Sequence, residues 1–129
     1  MGSPPRVLVV DDEAQVRLLL SLAFEFEGFE VALASDGDEA VTEAVRFGPD
    51  AVILDIMMPR VDGLTALLDL RNAPETEDVP VLLLSAKAHT ADITLGLRAG
   101  AADYLTKPFD TDDLVARTRR AIDKAATPA

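Results

Sequence analysis

Asp11, Asp12, Asp55, Ser85 and Lys107 have the types and placement for joint chemistry, because each stands at or just past the end of an apolar run. Asp55 comes first among them. It closes Ala51-Val52-Ile53-Leu54 and precedes Ile56-Met57-Met58-Pro59-Arg60-Val61-Asp62-Gly63. That pattern reads as a buried strand delivering one acid to a loop mouth. Three carboxylates brought within a few ångströms repel one another unless a cation intervenes. All-oxygen donors suit a hard divalent ion such as Mg²⁺, which keeps waters and accepts one or two carboxylates. Lys107 supplies a compact positive charge and Ser85 a hydroxyl. Asp55 is then free to attack phosphorus and form an aspartyl phosphate. A cation and a lysine around the transferring group are what a loose phosphoryl transition state demands.

These residues need elements to bring them together. Val7-Leu8-Val9-Val10 reads as a first strand covered on both faces. Asp12 and Gln15 have the spacing of a capping box, and Val16, Leu19, Leu20, Ala23 and Phe24 then recur at helical period as far as Gly28. Phe29 to Ala34 is a second strand, less uniformly apolar and so nearer an edge. Ala40, Val41, Ala44 and Val45 mark a helix stopped by Gly48-Pro49. The strand ending at Asp55 is third. Leu64, Leu67 and Leu68, with Arg71 continuing the face, trace the helix after it, and Glu75 to Asp78 is a solvated connection. Val81 to Ser85 is the fourth strand, Thr90 to Gly100 a helix with Ile93, Gly96 and Leu97 on one face, and Asp103 to Thr106 the fifth strand. Asp110 or Thr111 caps a last helix through Leu114, Thr118, Ala121 and Ile122.

Strands alternating with helices predict an α/β fold, a doubly wound parallel sheet with right-handed crossovers. In such a sheet the carboxyl ends of the strands share one rim, where ligands bind. Taken singly, an Asp after a strand is a helix cap, a Ser fills a turn and a Lys is a surface charge. Four of five strands handing a polar group to the same rim favours a site.

With 129 residues, 49% of them hydrophobic, the chain suits one domain with a real core. A net charge of −11 repels nucleic acid and anionic membranes, so direct DNA binding by this domain is not expected. No apolar run approaches the ~20 residues of a membrane span. The sequence has no cysteine, which removes disulfides and thiolate metal sites and fits a cytoplasmic setting. Residues 1–3 read as a cloning remnant or a native start, and 127–129 as a tail or the start of a linker.

The motifs Val9-Val10-Asp11-Asp12-Glu13, Leu54-Asp55-Ile56-Met57-Met58-Pro59 with Asp62-Gly63, Leu84-Ser85-Ala86, Gly100-Ala101 with Asp103-Tyr104, and Lys107-Pro108-Phe109 occur in that order. Together they make the chain resemble the receiver domain of bacterial two-component response regulators, over residues 4–126. The resemblance implies a flavodoxin-like (βα)5 fold with strand order 2-1-3-4-5. It also implies that Asp55 accepts a phosphoryl group from a sensor histidine kinase or histidine phosphotransfer protein, and slowly loses it again. Asp12 and Asp55 would ligate Mg²⁺ through side chains, Met57 through its backbone carbonyl, and Asp11 largely through water. Lys107 and Ser85 would contact the phosphoryl group. Tyr104 would turn inward as Ser85 moves, altering the face made by the last two strand–helix units. Lys107-Pro108 would be a cis peptide. The last segment is similar to receivers attached to winged-helix transcription factors, which dimerise through ion pairs; Asp103 and Arg117 are candidates for one, in a phosphorylation-dependent homodimer. An output domain or effector protein would then read the switch.

Such a protein is not expected to turn over a diffusible substrate. The rival enzyme is a Mg²⁺-dependent phosphohydrolase with an aspartyl phosphate, but haloacid-dehalogenase-type enzymes place a second acid where Met57 stands. A phosphorylation-independent binding module is the third reading. From the residues alone, Tyr104 reads as core or interface and Met57 as a loop-flanking hydrophobe. His89 reads as an exposed loop imidazole, and Leu19, Leu20, Phe24 and Phe26 as core.

Overall fold

A computed structural model of the chain describes residues 2–56, 63–86 and 90–126. β1 (Arg6–Val10), β2 (Glu30–Ala34), β3 (Ala51–Asp55), β4 (Val81–Ser85) and β5 (Asp103–Thr106) form one parallel sheet in the order β2-β1-β3-β4-β5. Helices α1 (Ala14–Phe26), α2 (Ala40–Phe47), α3 (Gly63–Asn72), α4 (Thr90–Arg98) and α5 (Thr111–Ala126) connect or follow the strands. This is the flavodoxin-like α/β fold, and the less apolar β2 lies at the edge.

Alternation along the strands builds two apolar layers. Leu8, Val10, Val52, Leu54 and Leu83 point to one side and pack with Ala40, Ala44, Ala66, Leu67 and Leu70 of α2 and α3. Val7, Val9, Ile53, Leu82 and Leu84 point to the other, against Leu20 and Phe24 of α1 and Leu114 and Val115 of α5. Each fully buried Leu or Val contributes about 1.5–3 kcal/mol. β3 is buried along its whole length, so the acid at its end is delivered from the centre of the sheet.

Several sequence expectations need correction. Asp12 does not cap α1: Glu13 is the N-cap, with no side-chain cap bond, and Asp11 Oδ1 instead accepts from the Glu13 N–H at 2.9 Å. The rim geometry claims the acid that the spacing had given to a helix end. Leu19 is half exposed and Phe26 is 88% exposed, so neither is core. Phe29 fills the place expected of Phe26, edge-on to the Phe24 ring at 4.9 Å. Leu68, Val45 and Leu97 also face outward, because the sheet covers only a narrow stripe of each helix.

The connection 75–78 is not wholly solvated, since Thr76 is buried. Its hydroxyl donates to the Leu70 carbonyl at 2.6 Å, satisfying a group that the end of α3 leaves open. Beside it, the Arg71 guanidinium donates to the carbonyls of Glu77 (3.0 Å) and Gly100 (3.2 Å). Burial lowers the Arg71 pKa, and the charge of Asp78 opposes the shift. Among the described residues no helix is long and apolar enough to cross a membrane.

Candidate functional site

Because all five strands run the same way, their carboxyl ends meet along one rim. Asp55 is the last residue of β3 and Ser85 the last of β4, while Asp11 directly follows β1 and Lys107 directly follows β5. Asp11, Asp55 and Ser85 are buried, whereas Asp12 and Glu13 are exposed. One carboxylate oxygen from each of Asp11, Asp12, Glu13 and Asp55 lies within 4.8 Å of the others.

Lys107 organises the buried part of this cluster. Its Nζ stands 3.1 Å from Asp11 Oδ2, 3.4 Å from Asp55 Oδ2 and 3.4 Å from Glu13 Oε1. Partial burial pulls the ammonium's pKa down, but the bond and charge of Asp11, the charge of Asp55 and the bond to Glu13 outweigh it, and the net shift is upward. The lysine is carried there by backbone geometry. Its N–H donates to the Ser85 carbonyl at 2.7 Å, extending the β4–β5 ladder, and a cis peptide joins it to Pro108.

Asp11 is held at every polar group. Its N–H donates to Ala34 O (3.1 Å), its carbonyl accepts from Arg17 Nη1 (2.8 Å), and its two carboxylate oxygens accept from Glu13 N–H and Lys107. Asp55 is framed from the other side by Gly63, whose N–H donates to Ile56 O at 3.1 Å. Among the described residues, four carboxylates stand against the Lys107 ammonium and the Arg17 guanidinium, which leaves the cluster anionic, with oxygen donors only. That donor set fits a hard divalent cation with open positions for further oxygens, and no thiol or imidazole competes among the described residues.

The sequence thus placed Asp11, Asp12, Asp55, Ser85 and Lys107 on a common rim, and the structure brings them there. Met57 and His89 lie outside the described residues. Glu13 and Arg17 were not singled out as site residues. Glu13 carried a signal, being a third acid beside the pair; Arg17 carried none, because its bond to Asp11 needs the turn between them.

Tyr104 stands within β5 and not at its end. It sits in β5 opposite Leu83, is buried, and packs where Gly96 lets α4 approach: a Cβ at Gly96 would fall 2.7 Å from Leu83 Cδ1 and 3.4 Å from Tyr104 Cδ2. Asp103 and Arg117 pair within the chain, with Arg117 Nη1 3.1 Å from Asp103 Oδ1 and Nε 3.0 Å from Asp113 Oδ2. The charge of Asp103, then the bond to Asp113, hold the Arg117 pKa up against partial burial. The pair borders a cleft of about 360 Å³ that also takes in Arg120 and Lys124.

Comparison with known proteins places these features. The family model for the response regulator receiver domain matches residues 7–119. The transcriptional regulatory protein TrcR of Mycobacterium tuberculosis is 47% identical over 120 residues, which cover 92% of this chain and 45% of TrcR. The chain spans about half the length of the curated relatives it matches. Among solved structures, the receiver domain of the Francisella response regulator 1452 superposes with a TM-score of 0.86 at 36% identity, covering 93% of this chain and 98% of that one. The receiver domain of the sensor histidine kinase PA1611 from Pseudomonas aeruginosa PAO1, described with a magnesium ion coordinated in its active-site cleft, gives 0.85 at 32% identity, covering 93% and 98%.

Proposed function

Because the chain belongs to the response regulator receiver domain family, we propose that residues 4–126 are a cytoplasmic switch, thrown by phosphorylation of Asp55. The observation carrying this reading is the buried Asp55 carboxylate at the centre of the rim, 3.4 Å from Lys107 and grouped with three further acids. An Asp55 oxygen forms a bond to phosphorus as the P–N bond of a donor phosphohistidine breaks; the electron pair stays on the imidazole, which takes up a proton. Lys107 offsets charge on the transferred oxygens, and the Ser85 hydroxyl donates to one of them. Slow loss of the group reverses the first bond, with water attacking phosphorus and restoring the carboxylate.

Asp12 and Asp55, helped by Asp11 and the Met57 carbonyl, would hold Mg²⁺. When bound, the ion would neutralise the acids and charge developing on the phosphoryl oxygens. The protein's work is positioning and electrostatics rather than turnover of a diffusible substrate. Output would pass through the α4-β5-α5 face, where Tyr104 and Gly96 bring α4 against the sheet, to an effector protein or output domain. On that face Asp103 and Arg117 would exchange their present partners in a homodimer.

A sensor histidine kinase or phosphotransfer protein is the expected donor, and α1 offers it a surface. Leu18, Leu22 and Phe26 recur every four residues and are 61%, 60% and 88% exposed, on a helix that begins at the acidic rim. An apolar stripe of this kind suits a helical partner.

Mass spectrometry after incubation with acetyl phosphate and Mg²⁺ tests the acceptor. Wild type should gain one phosphate and Asp55→Asn none. A gain that persists in Asp55→Asn removes Asp55 from the role.

A further inference from the structure

Arg17 stands in the first turn of α1, where a cation opposes the helix dipole and where the helix has neither an acidic residue nor a side-chain cap. Four acids lie nearby, yet among the described residues it makes no ion pair. It spends its guanidinium on a backbone carbonyl instead, donating from Nη1 to Asp11 O at 2.8 Å in a part-buried setting. Its own N–H continues the helix by donating to Glu13 O at 3.1 Å. The residue therefore spans the turn that carries Asp11, Asp12 and Glu13.

The carbonyl it holds belongs to the peptide plane from which Asp12 issues. Asp11 is locked by its other three bonds, whereas Asp12 is exposed and among the described residues makes no hydrogen bond or ion pair of its own. With the plane before it free to rotate, Asp12 would sweep its carboxylate across solvent. With the plane fixed, only rotation about the side chain's own bonds remains, and the carboxylate starts from the mouth of the cluster, within 4.8 Å of its neighbours. Partners that orient a ligand without touching the ion are a general requirement of metal sites.

We propose that Arg17 is a positioning residue for the divalent-cation site, clamping the Asp11–Asp12 peptide so that Asp12 is aimed before the ion arrives. This rests on the reading of the acidic cluster as a Mg²⁺ site. It makes a prediction opposite in sign to a purely electrostatic role. A cation near a cation site repels the ion, so removing the charge alone would tighten binding; removing the clamp weakens it.

The experiment is calorimetric titration of Mg²⁺ into wild type, Arg17→Met, Arg17→Ala and Arg17→Lys, with folding of each checked by circular dichroism. The neutral variants should bind about tenfold more weakly, the lower end of what loss of an outer partner costs a metal site. Arg17→Lys keeps one donor and should recover part of the affinity. Arg17→Ala retains helix propensity and carries the same expectation should Arg17→Met not fold. Unchanged or tighter binding in a folded neutral variant overturns the proposal while leaving the ion site standing. Failure of wild type to bind Mg²⁺ removes both.

Discussion

Gly63 lies directly against the backbone of Asp55: a Cβ at position 63 would fall 2.5 Å from the Asp55 carbonyl oxygen. The obstacle is main chain, so no side-chain rotation relieves it. Helix propensity alone would favour Ala by less than the ~1 kcal/mol of a helix interior, since Gly63 is the first residue of α3. Overpacking of this kind costs about 1–3 kcal/mol and should win. Urea denaturation of Gly63→Ala is therefore expected to show a lower midpoint, and mass spectrometry a slower uptake of phosphate from acetyl phosphate. A midpoint above wild type would show that α3 can back away from β3 freely.

Lys107 makes stability depend on alkaline pH. Its pKa is raised in the folded state above the ordinary 10.5, so its contribution is complete below that value and is lost as pH climbs through the folded pKa. Compared by urea unfolding, wild type should exceed Lys107→Met by a constant margin from pH 7 to about pH 9. The margin should close above about pH 10.5, where the unfolded-state lysine deprotonates. A margin that stays level to pH 12 would mean the ammonium is not what binds Asp11 and Asp55 to β5.

The exposed stripe on α1 separates two routes to the same phosphate. Leu18→Glu with Leu22→Glu puts charge on a face that makes no core contact, so folding and uptake from acetyl phosphate should be unchanged. Transfer from a phosphorylated histidine kinase should fall tenfold or more, since losing about 1.4 kcal/mol of docking is a factor of ten. Equal losses with both donors would point to damage at the rim rather than at a docking face.

How much of this was readable beforehand depended on range. The strands were legible because a run such as Val81 to Leu84 has few alternatives, and the rim followed from strand direction alone. The helix faces were read less well. Leu19 and Leu20 are adjacent and chemically alike, yet only Leu20 is buried, in a layer shared with strand residues and with Leu114 and Val115 of α5, far along the chain. Thr76 reads in sequence as part of an acidic, solvated connection, whereas its hydroxyl is taken up by the open Leu70 carbonyl at the end of α3. At the site, carboxylates announced themselves by type and position. The contacts of Lys107 with Glu13 and of Arg17 with a carbonyl depend on distances that one-dimensional spacing does not encode.

Arg71 has a consequence for how α4 can move. Its guanidinium fastens the Gly100 carbonyl, just past the end of α4, to the loop after α3, at the margin of the sheet farthest from Asp55. A nine-residue helix pinned at that end is a lever about 13 Å long, at 1.5 Å per residue. A push delivered near Ser85 would then swing the Thr90 end of α4 through an arc rather than slide the whole helix. The largest change of shape would appear beside the rim, and the least at Gly100.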